Sequence, residues 1–267
     1  MPFTLSHTAA ILPFARTLNR WRALSAAMIG SMVPDFSLLV PWHVQRFQSH
    51  SLEGLVTFCL PLGLLSYWIF EYVVKPATWE ILPDAAHLRS TALARPDPID
   101  EPRQWLVAVI GVLGGAITHL VWDGFTHEGA RGVRMIPALD DSVDIAGHPL
   151  YAFQIAQHAC SILGLALVTW LLVREMRAAP AMAGPVSRAL DHASRRRWMA
   201  AYVVAALFFC AVSFRLTWMT ERYGKSWSFI IDALGIGGLR GLLFSVLAVS
   251  ALLRARLARP ARARQAA

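Results

Sequence analysis

One apolar run sets the architecture of the chain: Trp105-Leu-Val-Ala-Val-Ile-Gly-Val-Leu-Gly-Gly-Ala-Ile-Thr-His119-Leu-Val-Trp-Asp123. It carries no Lys, Arg or Glu before its last residue, and it has nearly the length of about 20 residues that a membrane-spanning helix needs. His119 and Asp123 are four residues apart at its end, so a helix places both on one face. An imidazole and a carboxylate there can form half of a site for a divalent metal. Because ionisable groups are costly to bury in a membrane helix, a function for this pair is favoured.

The composition indicates an integral membrane protein. Of the 267 residues, 56% are hydrophobic and only 16% are charged, whereas a soluble domain carries about 25% charged residues. The net charge is +8, but the basic residues cluster between and after apolar runs and do not form a soluble basic face. Basic residues at a membrane edge contact lipid phosphates and set topology. We therefore expect membrane lipids as partners and no nucleic acid.

Five apolar runs are long enough to cross a bilayer as helices. They are Leu52–Val74, Trp105–Asp123, Tyr151–Val173, Trp198–Met219 and Phe229–Leu253. A sixth run, Ala23–Trp42, is interrupted by Pro34, and proline disfavours helix at the residue before it. A broken, re-entrant or interfacial helix pair is expected there, with a full span as the alternative. The predicted fold class is all-α: a polytopic integral membrane helical bundle with five spans and a broken N-terminal helical region.

The spans are predicted to form a single membrane domain over residues 1–253, with the motifs in 1–150 and the later membrane helices in 151–253. Two connecting segments lie within it. Lys75–Arg103 is expected to be an irregular loop and Ala178–Arg197 a flexible connector. Residues 254–267 are expected to be a basic disordered tail.

The distribution of Lys and Arg predicts the orientation in the membrane. With five spans, fifteen of these residues flank one side of the membrane and eight flank the other. The positive-inside rule places the richer side, which includes the C-terminus, in the cytoplasm. The N-terminal region and the loop after His119 then face outward.

Histidines and aspartates recur in the segments assigned to the outer side. The candidate metal ligands are His7, Asp35, His50, His119 and Asp123. Since the orientation was argued from Lys and Arg alone, their common location independently supports one composite site. Each residue has an alternative role. His7 and His50 could belong to helix caps, Asp35 could be an N-cap, and His119 and Asp123 could form a buried hydrogen-bonded pair.

Other polar residues are weaker candidates. His127 follows Asp123 by four residues, but the intervening glycine weakens a helix there. His158 lies inside a span, where a polar contact between helices is as good an explanation as metal binding. The acidic segment Asp140–Asp144 lacks the ligand spacing of a calcium loop, so solvation is expected.

Four motifs follow one another in the N-terminal half. They are His7, Gly30-Ser-Met-Val-Pro-Asp35, Gln45-Arg-Phe-Gln-Ser-His-Ser51 and His119-Leu-Val-Trp-Asp123-Gly-Phe-Thr-His-Glu-Gly129. In this order they resemble bacterial domain-of-unknown-function family 4184. More distantly, they are similar to the membrane-bound metal-dependent hydrolase family. The resemblance implies a multi-pass protein of a bacterial inner (cell) membrane.

The hydrolase family is itself remotely similar to zinc-dependent phospholipase C, a helical protein with clustered His and Asp ligands. This resemblance implies that the five candidate ligands bind one or more zinc ions. It also implies that the substrate is a lipid-like ester or phosphoester. The hydrolase family tends to carry an acidic residue where this chain has Ser37 and a histidine where it has Gln45. Both departures remove a possible ligand and imply a smaller site, or one that lacks full activity.

Three functions stay open at the level of sequence. The first is a metal-dependent hydrolase acting on a lipid-like substrate at the outer membrane face. The second is a non-enzymatic membrane protein in which a structural metal or a buried polar network holds the helices together. The third is a transporter or channel whose path is lined by intramembrane polar residues. Those residues are His158, Arg215, Asp232 and Arg240.

Overall fold

A computed structural model describes most of the chain. The described residues are 4–39, 44–82, 99, 101–145, 148–178, 189–220 and 227–265. Their regular structure is helical apart from one two-stranded hairpin. The chain forms two compact units, whereas the sequence predicts one membrane domain. The first unit is Met1–Tyr67 with Asp97–Arg177, and the second is Trp68–Pro96 with Ala178–Ala267.

Five helices are long and apolar enough to cross a membrane among the described residues. Their spanning segments are Leu52–Ile81, Pro102–Asp123, Ala152–Ala178, His192–Leu216 and Leu234–Ala258. Each contains most of a predicted run, because a long apolar sequence can satisfy its backbone polar groups within a bilayer only as a helix. The predicted class, an all-α multi-pass membrane protein with five spans, is confirmed.

The predicted break in the N-terminal region is also confirmed. A 3-10 helix over Thr4–Phe14 leads into the short helices α1 (Ala15–Arg20) and α2 (Leu24–Gly30), and a second 3-10 helix covers Val33–Leu38. Pro34 lies in the first turn of this last segment, where its missing N–H leaves no helical bond unmade. The region is therefore a series of short helical pieces.

A short helix, α3 (Arg46–Ser49), precedes the first span, α4 (Leu52–Ile81). The hydroxyl of Ser51 caps α4 by accepting a hydrogen bond from the backbone N–H of Gly54 at 3.0 Å. Such a cap satisfies one of the free N–H groups at the start of a helix. Ser51 therefore fills the capping role that the sequence left open for His50.

The helix α4 extends further than predicted. A π-helical turn over Phe70–Val74 comes just before Pro76, and this wider turn accommodates the hydrogen bond that proline cannot make. The helix then continues to Ile81. The prediction of an irregular loop over Lys75–Arg103 is therefore wrong at its start, while residues 83–98 lie outside the described part of the chain.

Close packing of α2 against α5 (Pro102–Asp123) organises the first unit. A Cβ atom at Gly30 would lie 2.2 Å from the carbonyl oxygen of Val112, and one at Gly115 would lie 2.1 Å from that of Ala27. Glycines at a helix interface let two backbones approach this closely. The contact brings the segment that follows α2 to the C-terminal end of α5.

A short helix, α6 (Arg131–Met135), and a hairpin follow α5. The hairpin pairs β1 (Ser142–Ile145) with β2 (His148–Tyr151) in antiparallel register. It includes part of the acidic segment Asp140–Asp144, whose side chains are exposed as expected. The third span, α7 (Ala152–Ala178), begins directly after β2.

The second unit contains α8 (His192–Thr220) packed against α9 (Trp227–Gln265). Asp191 caps α8, since its Oδ1 accepts a hydrogen bond from the backbone N–H of Ser194 at 2.7 Å. The helix consequently begins inside the segment Ala178–Arg197, which the sequence predicts to be a flexible connector. That prediction is wrong from residue 192 onward, and residues 179–188 lie outside the described part.

The last helix, α9, continues to Gln265. The sequence predicts a disordered tail over residues 254–267, and this is corrected up to Gln265. The tail consists mostly of Ala, Arg and Leu, which have high helix propensity. A basic composition at the end of a spanning helix therefore does not end the helix.

Candidate metal centre

The five predicted ligands meet in the first unit, around the C-terminal end of α5. His7 and Asp35 come from the two 3-10 helices, His50 follows α3, and His119 and Asp123 occupy successive turns of α5. Four of them are almost completely buried, and His50 retains only 8% of its side-chain exposure. The antiparallel direction of α4 and α5 places the start of one and the end of the other at the same level.

Their nitrogen and oxygen atoms face one another at distances suited to a shared cation. His119 Nε2 is 3.5 Å from Asp123 Oδ2 and 3.6 Å from Asp35 Oδ1. His50 Nε2 is 3.5 Å and 3.8 Å from the same two oxygens, and His7 Nε2 is 3.6 Å from Asp123 Oδ1. These distances are long for hydrogen bonds. They are close to the edge, about 3.4 Å, of a tetrahedron whose metal–ligand bonds are about 2.1 Å.

The donors form two overlapping sets. In each set the ligand atoms lie within 4.8 Å of one another, the first from His7, His119 and Asp123 and the second from Asp35, His50 and His119. Both sets use the single inward-facing nitrogen of His119, which can bind only one ion. They are therefore parts of one composite site.

Several buried atoms in this cluster have no hydrogen-bond partner among the described residues. They are His7 Nδ1 and Nε2, Asp35 Oδ1, His50 Nε2, His119 Nε2 and Asp123 Oδ1. Leaving one buried polar atom unsatisfied costs about 1–3 kcal/mol, and native proteins rarely keep several in one place. A divalent cation would satisfy most of them together. The donor set therefore fits a metal.

The tautomer of His119 follows from its second nitrogen. His119 Nδ1 lies 2.8 Å from the carbonyl oxygen of Ser31, and a carbonyl oxygen can only accept a hydrogen bond. Nδ1 therefore carries the proton, and Nε2 presents its lone pair to the cluster. A backbone carbonyl commonly orients a metal-binding imidazole in this way.

Two other ligands are oriented in a similar manner. The hydroxyl of Thr4 donates a hydrogen bond to Asp35 Oδ2 at 2.9 Å, which turns Oδ1 toward the cluster. Ser49 Oγ lies 2.7 Å from His50 Nδ1, so His50 Nε2 faces inward. Each ligand is thus held through one atom while the other stays available, as expected around a metal site.

Burial determines the charge of the N-terminal ligands. Desolvation, reinforced by the nearby His119, lowers the pKa of His7 to about 3. Its imidazole is therefore neutral near pH 7 and can donate a lone pair. Desolvation also raises the pKa of Asp35 above its ordinary value, and a cation beside the carboxylate would act in the opposite direction.

Two residues outside the predicted set also reach Asp123. Arg46 Nη2 donates a hydrogen bond to Asp123 Oδ2 at 2.7 Å, and His127 Nδ1 is 3.5 Å from Asp123 Oδ1. His127 is a weak candidate in the sequence because a glycine lies between it and Asp123. The chain turns at that point, and the turn, closed by a hydrogen bond from the N–H of Thr126 to the carbonyl of Asp123 at 3.3 Å, places the ring beside the carboxylate.

The two departures from the hydrolase family have local structural roles. The hydroxyl of Ser37 donates to the carbonyl of Pro34 at 3.1 Å. Gln45 is the N-cap of α3, where it and Gln48 form a capping box. Both side chains are thus engaged in local contacts.

The residues considered for a transport path are less informative. His158 is exposed on α7 and Arg215 is exposed on α8. The side chain of Asp232 lies outside the described part. Arg240 is half-buried on α9. The three described side chains do not by themselves favour a transport path.

The hydrogen bond from Thr4 to Asp35 provides a test of the site. Replacing Thr4 with valine removes the hydroxyl at nearly constant volume, so we expect zinc affinity to fall by about 10- to 100-fold, the usual effect of losing an outer hydrogen bond at a metal site. A chelator-competition titration of the purified protein measures this. Thr8→Val is the matched control, because among the described residues the Thr8 hydroxyl donates a hydrogen bond to the carbonyl of Leu5 in its own helix and makes none to the cluster. Equal affinities for the two variants would contradict the assignment.

Fold and site together define a class: a multi-pass helical membrane protein with a buried His and Asp cluster at the end of a spanning helix. A family model described as "Domain of unknown function (DUF4184)" matches residues 1–251. The chain belongs to this family, as the order of its motifs predicts. No curated protein and no solved structure matches it. The more distant similarity to hydrolases stays a prediction.

Proposed function

We propose that this protein is a metal-dependent hydrolase that acts on a lipid-like ester or phosphoester at the outer face of a bacterial inner membrane. The observation that carries the proposal is the set of buried, inward-facing donor atoms at the end of α5 that find no hydrogen-bond partner within the described part of the chain. Their orienting contacts to Ser31, Thr4 and Ser49 support it. The outward orientation rests on the excess of Lys and Arg on the opposite side.

The ligands would be His119 and Asp123 together with His7, His50 and Asp35. Zinc bound there would polarise a phosphoryl or carbonyl oxygen and lower the pKa of a coordinated water to about 7. The orienting contacts keep the ligand atoms of His119, Asp35 and His50 turned inward. The neutral state of His7 lets it bind without first losing a proton.

His127 is placed to move a proton at the edge of the cluster. Burial lowers its pKa to about 4, so the ring is neutral near pH 7 and can accept a proton. Its side chain retains 18% of its exposure and lines a pocket of about 920 Å³ that also reaches His50 and Asp123. A neutral imidazole between the ligands and an open pocket suits a general base.

The experiment that tests the function combines metal analysis with metal removal. Full-length protein purified in detergent should contain close to one equivalent of zinc, or of another divalent metal, by elemental analysis. It should hydrolyse an aryl phosphodiester such as bis(p-nitrophenyl) phosphate or a short-chain phospholipid. Dialysis against a chelator should abolish this activity and added zinc should restore it. Protein that contains no divalent metal would contradict the proposal, as would hydrolysis unchanged after chelation.

A structural metal is the second candidate, and the burial of the ligands favours it. His119 is 0% exposed and Asp35 is 1% exposed, and structural sites are closed whereas catalytic sites keep an open position. In that case chelation would lower the thermal unfolding midpoint, and the metal-loaded protein would show no hydrolysis in a broad ester and phosphoester screen. The pocket that reaches Asp123 makes the hydrolase the better supported of the two.

A further inference from the structure

We infer that Arg46 binds the phosphate of a membrane lipid, in the pocket that adjoins the candidate metal centre. The inference deepens the proposed function and rests on it. It names the substrate class, a phosphate-bearing lipid with its acyl chains along α5, and the residue that selects the headgroup.

Arg46 reaches the cluster from the pocket side. Its side chain is 46% exposed, while the Asp123 carboxylate that it contacts is 5% exposed. A guanidinium has five N–H donors in a planar fork, and one bond to Asp123 leaves donors directed to the pocket that Arg46 lines. Arginine is the side chain best suited to bind a phosphate through two parallel hydrogen bonds.

The charges around the pocket favour an anion at its inner end. Besides Arg46, the pocket is lined by Arg131 and by the imidazoles of His50 and His127, none of which carries a negative charge. Apart from Asp123, the acidic side chains that line the pocket are Glu53 and Glu128, and both are exposed to solvent. The negative charge of the Asp123 carboxylate is already paired with Arg46. A phosphate at this end of the pocket would therefore meet hydrogen-bond donors.

One wall of the pocket is apolar and is formed by the spanning helix α5 and the turn that follows it. Ile117, Val121 and Phe125 line it, and all three also line an adjoining apolar pocket of about 630 Å³. Each of the three is exposed. Ile117 lies six residues before Asp123, which is about 9 Å along the helix axis. A phosphate beside Arg46 would thus be followed by acyl chains running along α5 into the hydrocarbon layer.

Because Arg46 pairs with Asp123, a role in binding the lipid phosphate can be distinguished from a role in holding the Asp123 carboxylate in position. A cation and the guanidinium compete for Asp123 Oδ2, so removing the positive side chain should leave zinc affinity unchanged or raise it. If Arg46 instead only held Asp123 in place, its loss would weaken zinc binding. Removing the guanidinium should lower the affinity for the lipid, because a charge-assisted hydrogen bond to phosphate is lost.

The experiment uses zinc-loaded, full-length protein in detergent and isothermal titration calorimetry. Three probes separate headgroup from chain: dihexanoyl phosphatidate, glycerol phosphate without chains, and dihexanoylglycerol without phosphate. We expect phosphatidate to bind at least tenfold more tightly than either of the others. Arg46→Gln should weaken phosphatidate binding by about tenfold or more, leave dihexanoylglycerol unchanged and keep the zinc content. Arg134→Gln is the matched control, because Arg134 is exposed on α6 and is not among the pocket-lining residues.

The outcomes separate this inference from the proposed function. Zinc retained in Arg46→Gln with unchanged phosphatidate affinity would overturn the inference while leaving the metal site intact. Glycerol phosphate binding as tightly as phosphatidate would also overturn it, since the source would then be a soluble phosphate. Wild-type protein that binds no zinc would instead remove the proposed function. Replacing Val121 on the apolar wall with threonine (Val121→Thr) should weaken the binding of phosphatidate but not that of glycerol phosphate. This difference isolates the contribution of the acyl chains.

Discussion

Replacing His119 with alanine is expected to reduce the metal content of the purified protein from about one equivalent to near zero. His119 is the residue common to both donor sets, and its Nε2 faces Asp35 and Asp123 at 3.6 and 3.5 Å. Removal takes away a ligand whose tautomer is fixed by Ser31, and the remaining donors cannot form either set. Elemental analysis and a zinc titration measure the effect.

The matched control for His119→Ala is His158→Ala. His158 lies in α7 of the same unit and is exposed, so its loss should leave the metal content at the wild-type level. Both variants must also be compared for thermal unfolding without metal, because a cavity at a fully buried position costs stability by itself. A His119→Ala protein that keeps its metal would rule out the assigned site.

The class of fold could be predicted from sequence because the signal is local. An apolar run of about 20 residues predicts a spanning helix without reference to the rest of the chain. The helix ends were harder to predict. The π-helical turn that carries α4 past Pro76 and the cap from Asp191 that starts α8 depend on hydrogen bonds that hydropathy does not register.

The candidate ligands could be proposed from residue type, but their partners could not. His119 and Asp123 are neighbours through helical spacing, and that much can be read from the chain. The contact of Arg46 with Asp123 joins residues 77 positions apart, and that of Thr4 with Asp35 joins residues 31 positions apart. Such contacts depend on tertiary packing, and threonine and arginine occur too widely for residue type alone to mark them.

The packing of α2 against α5, which assembles the site, can be tested by adding a single methyl group at Gly115. At Gly115 an added Cβ would lie 2.1 Å from the carbonyl oxygen of Ala27 and 2.6 Å from the backbone nitrogen of Ser31. Because both neighbours are backbone atoms, no side chain can rotate away, and α2 must move from α5. We expect Gly115→Ala to destabilise the protein by about 1–3 kcal/mol or more, the usual cost of overpacking.

The same displacement should weaken the metal site, because the carbonyl oxygen of Ser31 orients His119. Gly114→Ala is the matched control one residue away, where an added Cβ meets nothing within 4 Å. Alanine is favoured over glycine within a helix by about 1 kcal/mol, so Gly114→Ala should be as stable as the wild type or slightly more so, with unchanged zinc affinity. If the contact at Gly115 positions His119, Gly115→Ala should lower both the unfolding temperature and the zinc affinity, and Gly114→Ala should lower neither. Equal behaviour would mean that the approach of α2 to α5 does not set the geometry of the cluster.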